Sequence, residues 1–76
     1  VLLYGGDAFA WYNLGVLLKR QGRLAESSEA WRMAADADPT DPRALTALGL
    51  QLQELGWLSD AAEHYRRALE RDPSYL

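Results

Sequence analysis

Few residues in this chain are of a type that does chemistry. Its single histidine, His64, stands four residues after Asp60. On a helix that spacing puts both on one face, where an imidazole and a carboxylate can share a proton or begin a metal site. A metal site needs more converging ligands than one histidine and scattered carboxylates. The chain has no cysteine, which excludes disulfides and thiolate metal sites. Asp60 and Glu63 resemble an acid pair for general acid–base work, but acids in a first helical turn are explained by the helix dipole alone. Ser27 and Ser28 offer hydroxyls with no histidine beside them to act as base. No glycine-rich phosphate loop follows a strand. These residues imply no catalysis, no metal and no cofactor. His64 reads as a solvated side chain with Asp60 as a weak ion partner.

Composition narrows the classes further. Seventy-six residues make at most one small domain, and a chain this short buries only about 60% of its unfolded surface. A formal net charge of -3 argues against nucleic acid, which needs clustered basic charge. Arg66, Arg67 and Arg71 make a small basic group, diluted by Glu63, Glu70 and Asp72. No apolar run approaches the roughly 20 residues needed to cross a bilayer. Val1-Leu2-Leu3-Tyr4 is too short for a signal-peptide core and lacks a basic front, and Gly5-Gly6 then breaks regular structure. The expectation is a soluble chain, with the cytoplasm favoured and no compartment fixed.

The elements that must position anything repeat at a spacing of 34 residues. Laying 7–41 over 41–75 gives twelve identities in 35 positions, among them Gly15 with Gly49, Gly22 with Gly56, Ala34 with Ala68, and Asp38-Pro39 with Asp72-Pro73. A period of this size marks stacked helical or solenoid units rather than a closed globule around a cleft.

Four helices follow from the pattern. Asp7 is an N-cap for a helix from about Ala8 to Arg20, with Ala10, Trp11, Leu14, Leu17 and Leu18 on the buried face. Gly22 suits the left-handed residue that ends it. The second helix runs from about Leu24 to Ala37, with Leu24, Trp31, Ala34 and Ala35 inward. It stops at Asp38-Pro39, because the residue before proline leaves helical angles. Asp41 caps the third helix and Pro42 takes its first position. Leu45, Leu48 and Leu52 are inward, and the helix reaches about Glu54 before Gly56. The fourth runs from about Ser59 to Arg71, with Ala61, Tyr65, Ala68 and Leu69 inward. Glu29–Arg32, Glu63–Arg66 and Glu63–Arg67 stand at helical pair spacing and mark an outer face. Connections of a few residues make successive helices antiparallel neighbours.

Two glycines fall mid-helix, at Gly15 and Gly49, where each costs about 0.5–1 kcal/mol against alanine. Recurrence at that cost requires a reason. The expected one is that the paired helices cross there too closely for a side chain. Ala34 and Ala68 are expected where successive units meet, and Trp11 and Trp31 fill the remaining volume.

Ala8, Ala10-Trp11-Tyr12-Asn13-Leu14-Gly15, Gly22, Trp31, Ala34 and Pro39 stand in register with Pro42, Leu45, Leu48-Gly49, Leu52, Gly56, Ala61, Tyr65, Ala68 and Pro73. Together, twice over, they resemble the tetratricopeptide repeat. The departures are Ser27, where the family has alanine, and Leu18 and Leu52, where it has an aromatic residue. The resemblance implies an all-α fold, a right-handed α-solenoid of antiparallel helix pairs with two units and four helices. Residues 1–7 would be an N-terminal extension, 8–41 the first unit and 42–75 the second.

The resemblance also implies where a ligand sits. In the family, the first helix of each pair lines a concave groove that takes extended or helical peptides. Here that face carries Phe9, Tyr12, Asn13, Val16, Lys19 and Arg20, then Arg43, Thr46, Ala47, Leu50, Gln53 and Glu54. Phe9, Tyr12, Val16 and Leu50 are apolar yet lie outside the buried stripes, which suggests a contact patch. Phe9 and Tyr12 are alternatively cover for the first helix, or pack on residues 1–6. Some members hold a terminal carboxylate with lysine and asparagine where this chain has Tyr12 and Val16, so a clamp of that kind is not expected.

The functional expectation is a non-enzymatic protein–protein interaction module. It would bind a peptide or protein segment in the groove and act as a scaffold, without cofactor, nucleic acid or membrane. A structural or self-associating element with no peptide ligand, or a recruitment segment of a larger protein, are the alternatives. Arrays need neighbours or caps over their terminal apolar faces. The chain is therefore expected to be part of a longer array, or to form a homo-oligomer through its open ends.

Overall fold

A computed structural model describes residues 7–74. Among them are four helices, α1 (Ala8–Arg20), α2 (Leu24–Ala37), α3 (Arg43–Glu54) and α4 (Leu58–Arg71). α1 packs on α2, α3 packs on α4, and α2 meets α3 to join the two pairs. The result is a helical solenoid of paired helices, flat in outline at 35 × 27 × 14 Å. Of the expected extension 1–7, residues 1–6 lie outside the described residues and Asp7 caps α1. No helix among those described is long and apolar enough to cross a membrane.

The connections are built twice from the same local chemistry. α1 ends in Gln21 and then Gly22 at φ 79°, and α3 ends in Leu55 and then Gly56 at φ 86°. In the first turn Arg23 N donates to Leu18 O and Gly22 N to Lys19 O, both at 2.9 Å. In the second, Trp57 N donates to Leu52 O and Gly56 N to Gln53 O. This pair of bonds closes a helix only through a left-handed residue, which is why glycine occupies both sites. α2 and α4 end at Asp38 and Asp72, both in extended geometry ahead of proline. Each carboxylate then receives the backbone N–H and hydroxyl of the residue two further on, Thr40 or Ser74.

The N-termini follow the sequence with one adjustment. Asp7 Oδ1 accepts from Ala10 N at 3.2 Å. Pro42 has helical angles, and Asp41 Oδ1 accepts from Arg43 N at 3.0 Å. Asp41 is thus the side chain that caps α3, with Pro42 at its entry. α4 begins at Leu58, one residue before the expected Ser59.

The buried apolar residues among those described are Ala30, Trp31, Ala34, Ala44, Leu45, Leu48, Ala61 and Ala68. Alanine predominates because the helices lie close, and one large ring fills what remains. Ala34 lies at the junction of the pairs, in one cluster with Trp31, Ala44 and Leu48. Ala68 departs from expectation: it is fully buried although no unit follows it among the described residues. Leu17, Leu24 and Leu69, expected inward, are exposed, and Tyr65 is half-buried. Among the described residues, Leu17 on α1 and Leu69 on α4 lie on helix faces that carry no packed helix, and Leu24 stands in the first turn of α2.

The glycines meet rings rather than backbone. A Cβ on Gly15 would stand 2.3 Å from Trp31 Nε1 and 2.4 Å from its Cδ1, and one on Gly49 would stand 2.9 Å from Tyr65 Cδ1 and Cε1. The reason expected was the approach of the helices themselves; the space a Cβ would need is instead held by an aromatic side chain of the second helix. Trp31 Nε1 donates to Tyr12 O at 3.2 Å, and buried Ser27 donates to Gly15 O at 2.8 Å. The hydroxyl at Ser27, where the family has alanine, thus takes a second hold on the same turn of α1. On the outside, Arg32 pairs with Glu29 and Arg66 with Glu63. Among the described residues Glu63 pairs with Arg66 and not with Arg67.

The two glycine sites differ in how far the ring can move. The Trp31 ring is buried and bonded, so Gly15→Ala is expected to lower stability by about 1–3 kcal/mol, the usual cost of overpacking. The Tyr65 ring is half-buried and its hydroxyl is held by exposed Gln53. Gly49→Ala should change stability by less than about 1 kcal/mol, since the gain in helix propensity offsets the displaced ring. Urea denaturation followed by circular dichroism reads both, and equal losses would dismiss ring immobility as the cause.

Candidate functional site

α1 and α3 each turn one face toward a shared depression of about 520 Å³. Tyr12, Val16, Lys19 and Arg20 come from α1, Thr46, Ala47 and Leu50 from α3, and Trp31 of α2 forms part of the lining. The three- and four-residue spacings in each helix place these side chains in one stripe. The apolar side chains make a continuous bed, and the two cations lie together at the C-terminal end of α1. That end is where the helix dipole favours positive charge.

Six of the ten expected site residues line this depression: Tyr12, Val16, Lys19, Arg20, Thr46 and Leu50. Four do not. Phe9 is 66% exposed, one turn before Tyr12. Asn13 is exposed on the outer side of α1. Arg43 lies over the Tyr12 ring, 5.2 Å from its centroid, and lines a smaller hollow with Asp41 and Ala44. Gln53 points away to accept the Tyr65 hydroxyl at 3.0 Å. Glu54, also expected on this face, is taken up by Lys19 Nζ at 3.2 Å. Tyr12 and Val16 are half-buried and pack on the core cluster, so they are less free than the sequence suggested.

Trp31 was assigned only to core volume by sequence reasoning, yet it lines the depression. Its ring lies against Gly15, which sits inside the continuous helix α1 between Tyr12 and Val16. A bulky ring paired with a mid-helix glycine was the available signal. The ring stands 6.5 Å from Tyr12 at 34°, and Lys19 Nζ lies 6.0 Å from its centroid. Lys19 therefore touches both units through Trp31 and Glu54. Arg20 lines the depression and forms no ion pair with another described residue.

Arg43 binds Asp41 through two nitrogens, with Nη2 at 2.6 Å from Oδ2 and Nε at 2.9 Å. Hydrogen bonding by Arg43 is the main cause that holds the Asp41 carboxyl below its ordinary pKa, against a smaller opposing effect of burial. The pair fixes the cation over Tyr12 and so steadies one wall of the depression.

A second hollow of about 360 Å³ lies between α2 and α4 over α3, bordered by Ser28, Arg32, Leu48, Leu52, Leu55, Trp57, Asp60 and His64. His64 Nδ1 lies 2.8 Å from Asp60 O. The partner is thus the backbone carbonyl, not the expected carboxylate, because the imidazole folds back along its own helix. No group of three or more histidine, aspartate or glutamate residues is placed to hold a metal among the described residues.

A family model described as the tetratricopeptide repeat matches residues 8–41 and again 42–75. No curated protein matches the chain.

Because the folded pKa of Asp41 is depressed, its contribution is present above its ordinary value of 3.8 and is lost as pH falls through the folded value. Denaturation midpoints should drop as pH is lowered below about 4, and Asp41→Asn should flatten part of that fall. Glu26, also lowered by its hydrogen bond to Arg23, is fully exposed, so Glu26→Gln should change the profile less. A larger effect at Glu26 would contradict this assignment.

Proposed function

The chain belongs to the tetratricopeptide-repeat family, and from that premise we propose that it holds a segment of another polypeptide in the depression between α1 and α3. Repeats of this family are generally protein–protein interaction modules and typically non-catalytic. We read this chain in the same sense, as a scaffold element that recruits a protein partner. Its net charge of -3 disfavours a nucleic-acid partner.

The observation that carries the reading is the apolar bed itself. Tyr12, Val16 and Ala47, half-buried where they pack on the core cluster, line the depression together with Leu50, which remains 45% exposed. Contiguous exposed apolar surface in a concave setting is the ordinary mark of a contact site. Tyr12 suits the role of anchor: its ring offers area at low entropic cost and its hydroxyl a polar handle. It is already oriented by Arg43 above and Trp31 beside it, so little ordering is left for binding. Arg20, in no ion pair with another described residue, is positioned to meet a carboxylate of the bound segment.

Peptides selected from a random display library on the wild-type chain supply the probe. Leu50→Ala and Tyr12→Ala are each expected to weaken the selected peptides about tenfold, or ~1.4 kcal/mol. Leu50→Ala should leave the melting temperature unchanged, which separates loss of contact from loss of fold. Peptides that bind both variants as tightly as wild type would place recognition elsewhere.

A further inference from the structure

At one pair of equivalent positions the usual burial preference is inverted. Gln51 is 2% exposed and Leu17, exactly one repeat earlier, is 55% exposed. Gln51 is buried because it faces α2, where its Nε2 donates to Leu24 O at 3.1 Å and to Ser28 Oγ. One repeat onward from those partners stand Leu58, 65% exposed, and Ala62, also exposed. The junction inside the chain therefore joins glutamine to serine. A junction of the same geometry between the two outer faces would join Leu17 to Leu58 and Ala62. Both sides have lost their polar group together, so each outer face matches the other and neither matches water.

The contacts at the rim of the junction translate without like charges, whereas Ala34, which packs on Ala44 and Leu48, corresponds to Ala68, already fully buried. Lys19 and Glu54, paired across the internal junction, correspond to Gln53 and Arg20, which carry no like charges. Arg43 over Tyr12 corresponds to Phe9 over Thr46. Ala35, packed on the core cluster, corresponds to exposed Leu69, which adds apolar area to the outward face of α4.

We propose that this chain associates with itself head to tail, the α1 face of one copy covering the α4 face of the next, with Leu17 seated against Leu58 and Ala62. The template is the junction between α2 and α3, and the occupant it specifies is a helix pair of this same sequence. The contact is heterologous, so it leaves one open face at each end and can continue. It uses faces other than the Tyr12–Leu50 depression and stands independently of the peptide-binding reading. Stacking would extend the row of first helices and lengthen that depression.

Sedimentation velocity on the 76-residue chain over roughly a hundredfold concentration range reads the association. The expected result is a mass that grows with concentration. Leu17→Glu and Ala62→Lys should each raise the apparent dissociation constant about tenfold or more. Both positions are exposed, so helical circular dichroism and melting at low concentration should be unchanged. Mixing the two variants should restore association, because the Leu17→Glu copy keeps an intact α4 face and the Ala62→Lys copy an intact α1 face, and these two meet only at a head-to-tail contact. A chain that stays monomeric throughout overturns the proposal. So does association that both variants retain, whether it is lost in Trp57→Ala, marking the apolar turn, or in Leu50→Ala, marking the peptide groove.

Discussion

One indole laid on one glycine organises the first half of this molecule. Without a Cβ at Gly15, the Trp31 ring lies against α1 and its nitrogen reaches the Tyr12 carbonyl. Ser27, one turn earlier in α2, reaches the Gly15 carbonyl. Both acceptors already belong to the helix ladder, and a carbonyl has a second lone pair to give. The pair α1–α2 is thus fixed by shape and by two hydrogen bonds from inside the core. In a domain this small, where little area is buried, such directional contacts set a single arrangement that alanine packing alone would leave loose.

The second pair repeats the scheme with a softer hold. Tyr65 replaces the tryptophan, its hydroxyl goes to exposed Gln53, and Ala61 replaces the serine. Neither buried side-chain bond to the first helix is reproduced. The two units are equivalent in backbone and unequal in cohesion. Polar investment in unit two lies instead at Gln51, which ties α3 to α2 rather than to α4. Gln51 thus supports the junction between units, where the Trp31 cluster also ends.

The groove follows from this arrangement. Trp31 fills the core with one part of its ring and lines the depression with another. Tyr12 touches the same ring, and Arg43 is held over Tyr12 by Asp41, the residue that also caps α3. A helix cap, a cation–ring contact and a groove wall therefore share one carboxylate. Lys19 reaches from α1 to Glu54 on α3, close to Trp31, and bridges the two units at the other end. Residues that line the depression thus also serve the fold behind it.

The sequence by itself determined the helices, their ends and the repeat. Asp7, Gly22, Asp38-Pro39 and Gly56 act through bonds to residues only a few positions away, so their meaning survives without knowledge of the fold. The spacing of 34 residues likewise announced stacked pairs. Six residues that line the depression were placed there by the resemblance to the repeat family, which says which helix face is concave. Tertiary structure alone decided which faces are covered. Leu17 and Gln51 occupy the same place in their helices, and only the presence of α2 over one of them buries the glutamine and leaves the leucine in water. The diversion of Gln53 to Tyr65, of Glu54 to Lys19 and of Arg43 to Asp41 and Tyr12 was invisible for the same reason. A side chain's partner depends on what lies opposite, and local spacing holds no record of that.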